Sequence, residues 1–237
     1  DDVRVHWVHG EDNVHLPQGA LSRILRQYGS HERGARERGE WTTLEGRVYQ
    51  EWRRDIHVVP SFDPPPDWTR YGAIDFGTRN PFVFLYCAVD PKDDTIHIID
   101  EHYQREWTLS DHARRIHSMT KHGSPPLEWI VADPEDRGSR LSLAREHDLV
   151  TIKAKKQIRD GLNAVAERLA FDANGHPHLF IHDKCLHTIR EFESYVWDTA
   201  GRRGKDPMDK PLKRDDHAMD ALRYLCVQLR NTDFAIG

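Results

Sequence analysis

The stretch Tyr71-Gly72-Ala73-Ile74-Asp75-Phe76-Gly77-Thr78 is typical of a short apolar strand that ends on a carboxylate and turns at a glycine. Asp is depleted in β-strands. A charge at the end of a buried strand also needs an opposite charge or a metal ion as its partner. The pattern therefore makes Asp75 a candidate functional residue, although a plain turn residue before Gly77 would give the same local sequence.

The residues that follow this stretch predict two further strands and then an alternation of helices and strands. Strands over 81–89 and 95–103 are separated only by a turn at 90–94, which favours an antiparallel meander. The later elements are a helix capped by Ser110, strands over 129–132, 149–152 and 179–181, and helices over 141–147, 158–171, 185–195 and 216–229. This order predicts an α/β fold of the RNase H-like class, in which a mixed sheet, an antiparallel meander followed by parallel strands, is flanked by helices.

The first 66 residues differ in pattern from the rest of the chain. Apolar positions at helical spacing predict a helix over 20–28, and glycines beside short apolar runs predict a strand pair over 39–49. Pro64-Pro65-Pro66 cannot continue a helix and behaves as a stiff, extended linker. We therefore place a domain boundary there, with residues 1–66 before it and 67–237 after it. The first residue is Asp1 rather than Met, so we expect a fragment or a processed product.

The composition is that of a globular protein with a sizeable core. The chain has 237 residues, of which 38% are hydrophobic and 31% charged. No apolar run approaches the roughly 20 residues that a membrane span needs, and the N-terminus lacks the apolar segment of a signal peptide. Cys87, Cys185 and Cys226 are widely spaced in apolar contexts, so we expect reduced core cysteines in a cytosolic protein and no structural zinc site.

Two more acidic sites occur later in the chain. Asp133 follows the fourth predicted strand, and Asp216 and Asp220 lie four residues apart on one face of the last predicted helix. Because strand ends can lie side by side in a sheet, we expect these acids to meet Asp75. Crowded carboxylates recruit cations, and Mg²⁺ and Mn²⁺ prefer oxygen ligands. The sequence thus predicts a site for two Mg²⁺ or Mn²⁺ ions, bridged by Asp75, that hydrolyses a phosphodiester.

Each of the later acids also has a purely structural interpretation. Asp133 before a proline is compatible with an ordinary strand-to-loop residue. Asp215 and Asp216 are suited to capping the last helix, and Asp215 is the better candidate for that role. Asp220 is harder to explain structurally, since its neighbours in the helix are apolar. His217 is suited equally to a metal ligand, a phosphate contact or a surface residue.

Positive charge is concentrated in clusters even though the net charge is −5. An acidic chain does not by itself indicate a nucleic-acid-binding protein, and a basic cluster is often no more than a solvated face. Beside a metal site, however, basic clusters can bind phosphates without reading the base sequence. The candidate DNA-binding residues are Lys153, Lys155, Lys156, Arg159, Arg202, Arg203, Lys205, Lys213 and Arg214.

The acidic motifs resemble those of one known family. Residues 215–224, Asp-Asp-His-Ala-Met-Asp-Ala-Leu-Arg-Tyr, resemble the C-terminal signature of the nuclease domain of large terminase subunits, the DNA-packaging motors of tailed bacteriophages. Ile74-Asp75-Phe76-Gly77 and Ala132-Asp133-Pro134 are similar to that family's other acidic positions. Glu191, Tyr195 and Trp197 resemble its recurring Glu–Tyr–Trp pattern. The resemblance extends over essentially the whole chain, because the segment around residues 39–49 is similar to the end of the family's ATPase region.

The resemblance implies an RNase H-like nuclease that cuts concatemeric viral double-stranded DNA. It implies that Asp75 and Asp133 are metal ligands, followed in rank by Asp220, Asp216 and His217, and that the loop 199–213 meets DNA. The implied partners are an N-terminal ATPase domain, the small terminase subunit and the portal, in the cytoplasm of an infected bacterium and away from any membrane. The chain contains no Gly-x-x-x-x-Gly-Lys-Ser/Thr motif, so we predict no ATP hydrolysis by this part.

Three alternatives remain open on the sequence. Asp75-Phe76-Gly77-Thr78 also resembles the first phosphate loop of actin-like and sugar-kinase-like ATPases, although the second glycine-rich loop of that superfamily is missing. Another RNase H-like nuclease, such as a junction resolvase or a transposase, would differ by its preference for branched DNA. An inactive DNA-binding or portal-docking module would lack metal-dependent cutting altogether.

Overall fold

A computed structural model describes residues 46–77, 80–121, 125–198 and 210–233. The chain divides into two compact units, and the larger one comprises residues 51–195 and 213–237. The described residues of the smaller unit make two isolated antiparallel bridges, Arg47 with Val196 and Trp197 with Pro211. The helix predicted over 20–28, and residues 39–45 of the predicted strand pair, lie outside the described residues.

The larger unit is built on one mixed sheet, and it confirms the predicted fold class. Its strands in the described ranges are β1 (Val58–Val59), β2 (Thr69–Asp75), β3 (Phe82–Val89), β4 (Ile96–Gln104), β5 (Leu127–Ala132), β6 (Thr151–Lys153) and β7 (Leu179–His182). Their order in the sheet is β1-β7-β4-β3-β2-β5-β6. The β2–β3 and β3–β4 pairs are antiparallel, whereas β2–β5, β5–β6, β4–β7 and β1–β7 are parallel.

Helices cover both faces of this sheet. In chain order they are α1 (Arg54–His57), α2 (Leu109–Lys121), α3 (Arg137–His147), α4 (Ile158–Leu169), α5 (Leu186–Ser194) and α6 (His217–Asp233). A buried cluster joins α2 and α3 to one face of the sheet through Ile116, Leu143, Ile74 and Phe84. On the other face α6 packs against β2, β3 and β5, and α4 packs against α6.

The alternation of side chains along β2 decides which residues meet which helix. Successive strand residues point to opposite faces, so Ile74 lies in the cluster with α2 and α3 while Asp75 faces the side on which α6 packs. Gly72 makes room for the ring of Phe84, because a Cβ atom at this position would lie 2.6 Å from Phe84 Cε2. The alternation along β2 therefore places the carboxylate of Asp75 on the face that packs against α6.

The predicted cap of α2 is wrong. The helix begins at Leu109, one residue before Ser110, and Thr108 is the residue that caps it. The backbone N–H of Asp111 donates to Thr108 Oγ1 at 3.2 Å, and the backbone N–H of Thr108 donates in return to Asp111 Oδ2 at 3.3 Å. This reciprocal arrangement is a capping box, and it satisfies more of the free donors at the helix start than Ser110 alone would.

The proline-rich segment before β2 is held by a buried arginine. Arg70 is 2% exposed, and its Nη2 donates to the carbonyl oxygens of Pro64 and Pro65. The division of the chain at residue 66 stays a prediction. Cys87, Cys185 and Cys226 are free and buried, as predicted. Within the described ranges, no helix is both long enough and apolar enough to cross a bilayer.

Candidate active site

Asp75 occupies the end of β2 and is 5% exposed. Its Oδ2 lies 3.1 Å from His217 Nδ1, at the start of α6. The pKa of Asp75 is raised to about 6, mainly by burial. The charges of Asp220 and Asp133 contribute to the increase in this pKa, and the hydrogen bond and charge of His217 oppose it. The carboxylate of Asp75 therefore interacts electrostatically with both other acidic sites that the sequence predicts.

Asp133 is brought beside Asp75 by the parallel pairing of β2 with β5. The register pairs Ile74 with Ala132, and the backbone N–H of Asp133 donates to Ile74 O at 3.1 Å. Because neighbouring strands run about 4.8 Å apart, the two aspartates follow adjacent backbone positions at one edge of the sheet. Lys156 Nζ lies 3.4 Å from the Asp133 carboxylate.

The start of α6 carries two more buried carboxylates, and cationic side chains neutralise both. Lys213 Nζ lies 3.1 Å from Asp216 Oδ2 and 2.9 Å from Asp220 Oδ2. Arg223, one turn further along, also donates to Asp220. Burial raises the pKa of Asp220, but the charges of Arg223 and Lys213 outweigh it and lower that pKa overall. Burial and the charge of Asp220 raise the pKa of Asp216.

His217 is the cation beside Asp75. Burial lowers its pKa, but the hydrogen bond to Asp75 and the charges of Asp75, Glu191 and Asp216 raise it overall. The arrangement favours an imidazolium that partly neutralises Asp75. The structure thus places His217 in the site rather than on the surface.

The helix α6 is capped by a residue from another helix. Glu191 of α5 is fully buried, and its Oε2 accepts from the backbone N–H groups of Ala218 and Met219 at 2.7 and 3.1 Å. The predicted capping role of Asp215 is wrong, since its side chain is 47% exposed and lies near Arg214. Its φ of 46° places it in a left-handed turn before the helix.

Two further residues of the site belong to the 215–224 motif, but the sequence assigns them no role. Besides Arg223, these include Tyr224, whose hydroxyl is buried without a hydrogen-bond partner in the described part of the chain. Burial and the charges of Asp220, Asp75 and Asp133 raise the pKa of Tyr224. The signal in the sequence is their place at the end of the 215–224 motif, shortly after Asp220 in the same helix.

A cleft of about 450 Å³ opens over these acids. Asp75, Asp216, His217 and Asp220 line it, and Asp133 does not. Its rim carries the cationic side chains of Arg105, Lys213 and Arg214, together with Asn80 and the exposed Asp215. The buried acids are suited to binding cations, and the basic side chains at the rim are suited to binding phosphates.

The predicted DNA-binding residues fall into three groups. Lys156 and Lys213 contact the acids of the site, as described above. Lys153, Lys155, Arg159 and Arg214 are exposed, with Lys155 Nζ donating to Asn231 Oδ1 at 3.2 Å. Arg202, Arg203 and Lys205, and most of the loop 199–213, lie outside the described residues.

Over the described ranges, no group of three or more His, Cys, Asp or Glu side chains is arranged to hold a metal ion. Instead, Lys213 and Arg223 contact the carboxylates of α6, and His217 contacts Asp75. The donors themselves fit a hard divalent cation, because they are buried carboxylate oxygens whose charges act on one another. A cation at this point would take over the neutralisation that these side chains now provide.

Comparison with known proteins identifies related chains. A family model described as the terminase RNase H-like domain matches residues 75–227. The large terminase subunit of Escherichia phage T5 is 25% identical over 238 residues, covering 94% of this chain and 52% of the T5 protein. The structure of the large terminase from a thermophilic bacteriophage in complex with ADP is 27% identical, with a TM-score of 0.72, over 93% of this chain and 54% of that terminase chain.

A second structure shares the fold. The large terminase nuclease domain from bacteriophage SPP1 with bound Mn is 20% identical, with a TM-score of 0.56, over 77% of this chain and 99% of that domain. The chain spans about half the length of the T5 protein and of the thermophilic-phage terminase, and its match takes in nearly all of the isolated SPP1 domain. The family model covers both β-strand aspartates and the α6 motif, and the chain belongs to the terminase RNase H-like domain family.

Proposed function

We propose that this chain is the nuclease part of a large terminase, a metal-dependent endonuclease that cuts concatemeric viral double-stranded DNA during genome packaging. The observation that carries the proposal is the meeting of three parts of the chain at Asp75. Asp133 follows the strand that pairs with β2, and its N–H donates to Ile74 O at 3.1 Å. His217, at the start of α6, lies 3.1 Å from Asp75 Oδ2. Carboxylates from three distant parts of the chain thus lie at one end of the sheet, and carboxylates are the donors that two-metal phosphodiester hydrolysis uses.

Asp75, Asp133 and Asp220 would hold two Mg²⁺ or Mn²⁺ ions, with Asp75 as the shared ligand and with Asp216 and His217 next to them. Bound divalent ions supply two effects: they lower the pKa of a bound water, and they neutralise the charge that develops on the phosphate. Asp75 and Asp220 are buried and Asp133 is half-buried, so their charges would attract cations more strongly than those of fully exposed acids.

The rim of the cleft binds the nucleic acid in this proposal. Arg105, Lys213 and Arg214 border the acids, and Lys156 lies next to Asp133. Such side chains bind backbone phosphates and give affinity without selecting a base sequence. The exposed Lys153, Lys155 and Arg159, with Arg202, Arg203 and Lys205, extend the same role.

The rest of the packaging apparatus is proposed from the relatives. The chain spans about half of the T5 protein and of the thermophilic-phage terminase, and the structure of the latter contains ADP. We infer that an N-terminal ATPase domain precedes this part in the whole protein. The small terminase subunit and the portal are its proposed partners, in the cytoplasm of the infected bacterium.

Plasmid nicking tests the proposal. Supercoiled plasmid is incubated with the purified chain in Mg²⁺, in Mn²⁺ and in excess chelator, beside the variants Asp75→Asn and Asp67→Asn. Asp67 is an exposed residue just before β2 and serves as the matched control. We expect nicking by the wild type and the control in either metal, and none by Asp75→Asn or in chelator. Nicking that persists in Asp75→Asn would exclude this site as the nuclease.

One observation favours the inactive-module alternative. Lys213 and Arg223 already neutralise the carboxylates of α6, so a DNA-binding or docking module could keep these acids for structure alone. Mn²⁺ titration by calorimetry separates the two functions. An active site binds Mn²⁺ in the wild type and loses it in Asp75→Asn, whereas an inactive module shows no Mn²⁺ binding in either protein.

A further inference from the structure

The start of α6 depends on a side chain outside that helix. The first N–H groups of a helix have no partner within it, and here Glu191 Oε2 accepts from two of them, Ala218 N and Met219 N. The acids nearest in sequence make other contacts: Asp216 pairs with Lys213, and Asp215 is exposed in a left-handed turn near Arg214. The cap therefore comes from a residue 27 positions away in sequence.

The burial of Glu191 shows that this contact is specific. Its side chain is fully buried, and a buried carboxylate is costly unless its oxygens are hydrogen-bonded. Oε1 accepts from the hydroxyl of Tyr103 on β4 at 2.8 Å, so both oxygens have partners. The positive end of the α6 dipole stabilises the charge further.

The helix that carries Glu191 is itself fixed to the sheet. Glu101 of β4 accepts from the backbone N–H of His187 at 2.7 Å and from that of Thr188 at 2.9 Å, at the start of α5. One carboxylate thus anchors α5 to β4, and the next anchors α6 to α5. This succession connects the sheet to the helix that supplies half of the candidate active site.

The capped residues lie between the functional ones. His217 directly precedes Ala218, and Asp220 directly follows Met219. The position of the cap therefore sets the rotation of the first turn, on which both the 3.1 Å contact of His217 with Asp75 and the direction of Asp220 depend. Glu191 cannot touch DNA, because no part of it is exposed.

We propose that Glu191, held by Tyr103, is a positioning residue that fixes the start of α6 so that Asp216, His217 and Asp220 face Asp75. This role rests on the proposed function of the same site. It predicts that losing the cap weakens divalent-cation binding although every proposed ligand remains. Residues that orient metal ligands commonly affect metal affinity by about 10–100-fold.

The test uses four variants of the full chain. Glu191→Ala removes the cap, Glu191→Gln keeps its shape and one acceptor oxygen, and Tyr103→Phe removes only the hydroxyl while keeping the ring stacked on His187 at 4.2 Å. Glu193→Gln is the matched control, since Glu193 lies on the same helix and pairs with Arg54. Mn²⁺ affinity is measured by calorimetry, and amide hydrogen exchange at Ala218 and Met219 is measured without metal.

We expect Glu191→Ala to raise the Mn²⁺ Kd about tenfold or more and to speed exchange at both amides. Tyr103→Phe should give a smaller change in the same direction. Glu191→Gln should recover most of the affinity, and Glu193→Gln should match the wild type. The recovery by Gln distinguishes positioning from a contribution of charge.

Two results would overturn the proposal. One is a folded Glu191→Ala variant that binds Mn²⁺ with the wild-type Kd; if that variant does not fold, unchanged Kd and unchanged exchange in Tyr103→Phe decide against it equally. The other is a Glu191→Gln variant whose Mn²⁺ affinity is as low as that of Glu191→Ala. The proposed function fails separately, through a wild type that binds no Mn²⁺ or an Asp75→Asn variant that binds it normally.

Discussion

His217 Nδ1 lies 3.1 Å from Asp75 Oδ2, although the two residues are 142 positions apart in sequence. This contact joins the start of α6 to the end of β2 and places an imidazole where a buried carboxylate needs a positive charge. A divalent cation bound to Asp75 would compete with that imidazole. The contact between His217 and Asp75 therefore affects both the stability of the metal-free chain and its proposed ability to bind a cation.

Asp75→Asn should stabilise the metal-free chain while abolishing cation binding. The pKa of Asp75 is raised from 3.8 to about 6 by burial, so the ionised carboxylate destabilises the folded state at pH 7. That loss disappears as the pH falls through 6 towards 3.8, where the folded carboxyl is protonated. Replacement by a neutral amide should raise the free energy of unfolding at pH 7 by about 1–3 kcal/mol.

Urea unfolding in chelator at pH 7 and pH 4 measures this effect. The gain from Asp75→Asn should be present at pH 7 and nearly absent at pH 4, and Asp67→Asn should change neither value. A variant that is less stable than the wild type at pH 7 would show that the contact with His217 outweighs the burial of the charge.

Lys213→Met should strengthen Mn²⁺ binding. The ammonium of Lys213 lies about equally close to Asp216 and Asp220, at 3.1 and 2.9 Å, and a metal ion must displace it from these oxygens. Removing the charge while keeping the apolar stem should lower the Mn²⁺ Kd by about threefold to tenfold, equivalent to about 1 kcal/mol.

Calorimetry checks this expectation, with Lys184→Met as the control because Lys184 pairs with Asp100 on the surface at 3.5 Å. The metal-free Lys213→Met variant should also be less stable, since two buried carboxylates lose a partner. Weaker Mn²⁺ binding by Lys213→Met would mean that the amine supports the site rather than competing for it.

The sequence predicts correctly those features that depend on interactions between residues close together in the chain. β2 and its terminal Asp75 follow from an apolar run broken by a charge, and the meander that follows is specified by short turns. The sequence singles out Glu191 only as part of a family pattern, and its role as the cap of α6 depends on a long-range contact. Glu191 reaches its partners from another helix, and nothing near α6 in sequence specifies that acceptor.

Competition between neighbouring residues limits prediction even at short range. Thr108 and Ser110 are both good helix caps, and only the reciprocal bonding with Asp111 selects Thr108. Asp215 is likewise a good cap by type, but its left-handed backbone turns it away from the helix. The type of a residue shows that it can cap a helix, but tertiary contacts and backbone conformation determine which of several candidates does so.

His182→Leu should reduce the acid sensitivity of the fold. Burial lowers the pKa of His182 to about 4, with the charge of Lys184 acting in the same direction. Neither ring nitrogen has a hydrogen-bond partner in the described part of the chain. The unfolded chain takes up this proton near pH 6.5, so the contribution of His182 to stability is complete above 6.5 and is lost as the pH falls towards 4.

The measurement is the urea midpoint at pH 7 and pH 5, followed by tryptophan fluorescence. The wild type should lose about 1–2 kcal/mol from this group over that interval, and His182→Leu should lose correspondingly less. His176→Leu, at an exposed position, should keep the wild-type pH dependence. Equal losses in all three proteins would assign the acid sensitivity to other groups, of which His97 and His102 also have a pKa lowered to about 4.

Gly77→Ala should disrupt the loop that follows Asp75. A Cβ atom on Gly77 would collide with the backbone carbonyl oxygens of Asn80 and Pro81, which cannot move aside as a flexible side chain can. Overpacking of this kind costs about 1–3 kcal/mol. The strain falls two residues beyond Asp75, so Mn²⁺ affinity should decrease together with stability.

Gly138→Ala is the matched control for Gly77→Ala, because its nearest contact would be Asp136 Oδ1 at an ordinary 3.6 Å. We expect that control to bind Mn²⁺ normally and to be as stable as the wild type or slightly more so, since alanine is the better helix former. Thermal unfolding and Mn²⁺ calorimetry on both variants provide the comparison. Wild-type stability in Gly77→Ala would show that the loop relaxes around the methyl group, and the position of Asp75 would then depend on β2 and His217 alone.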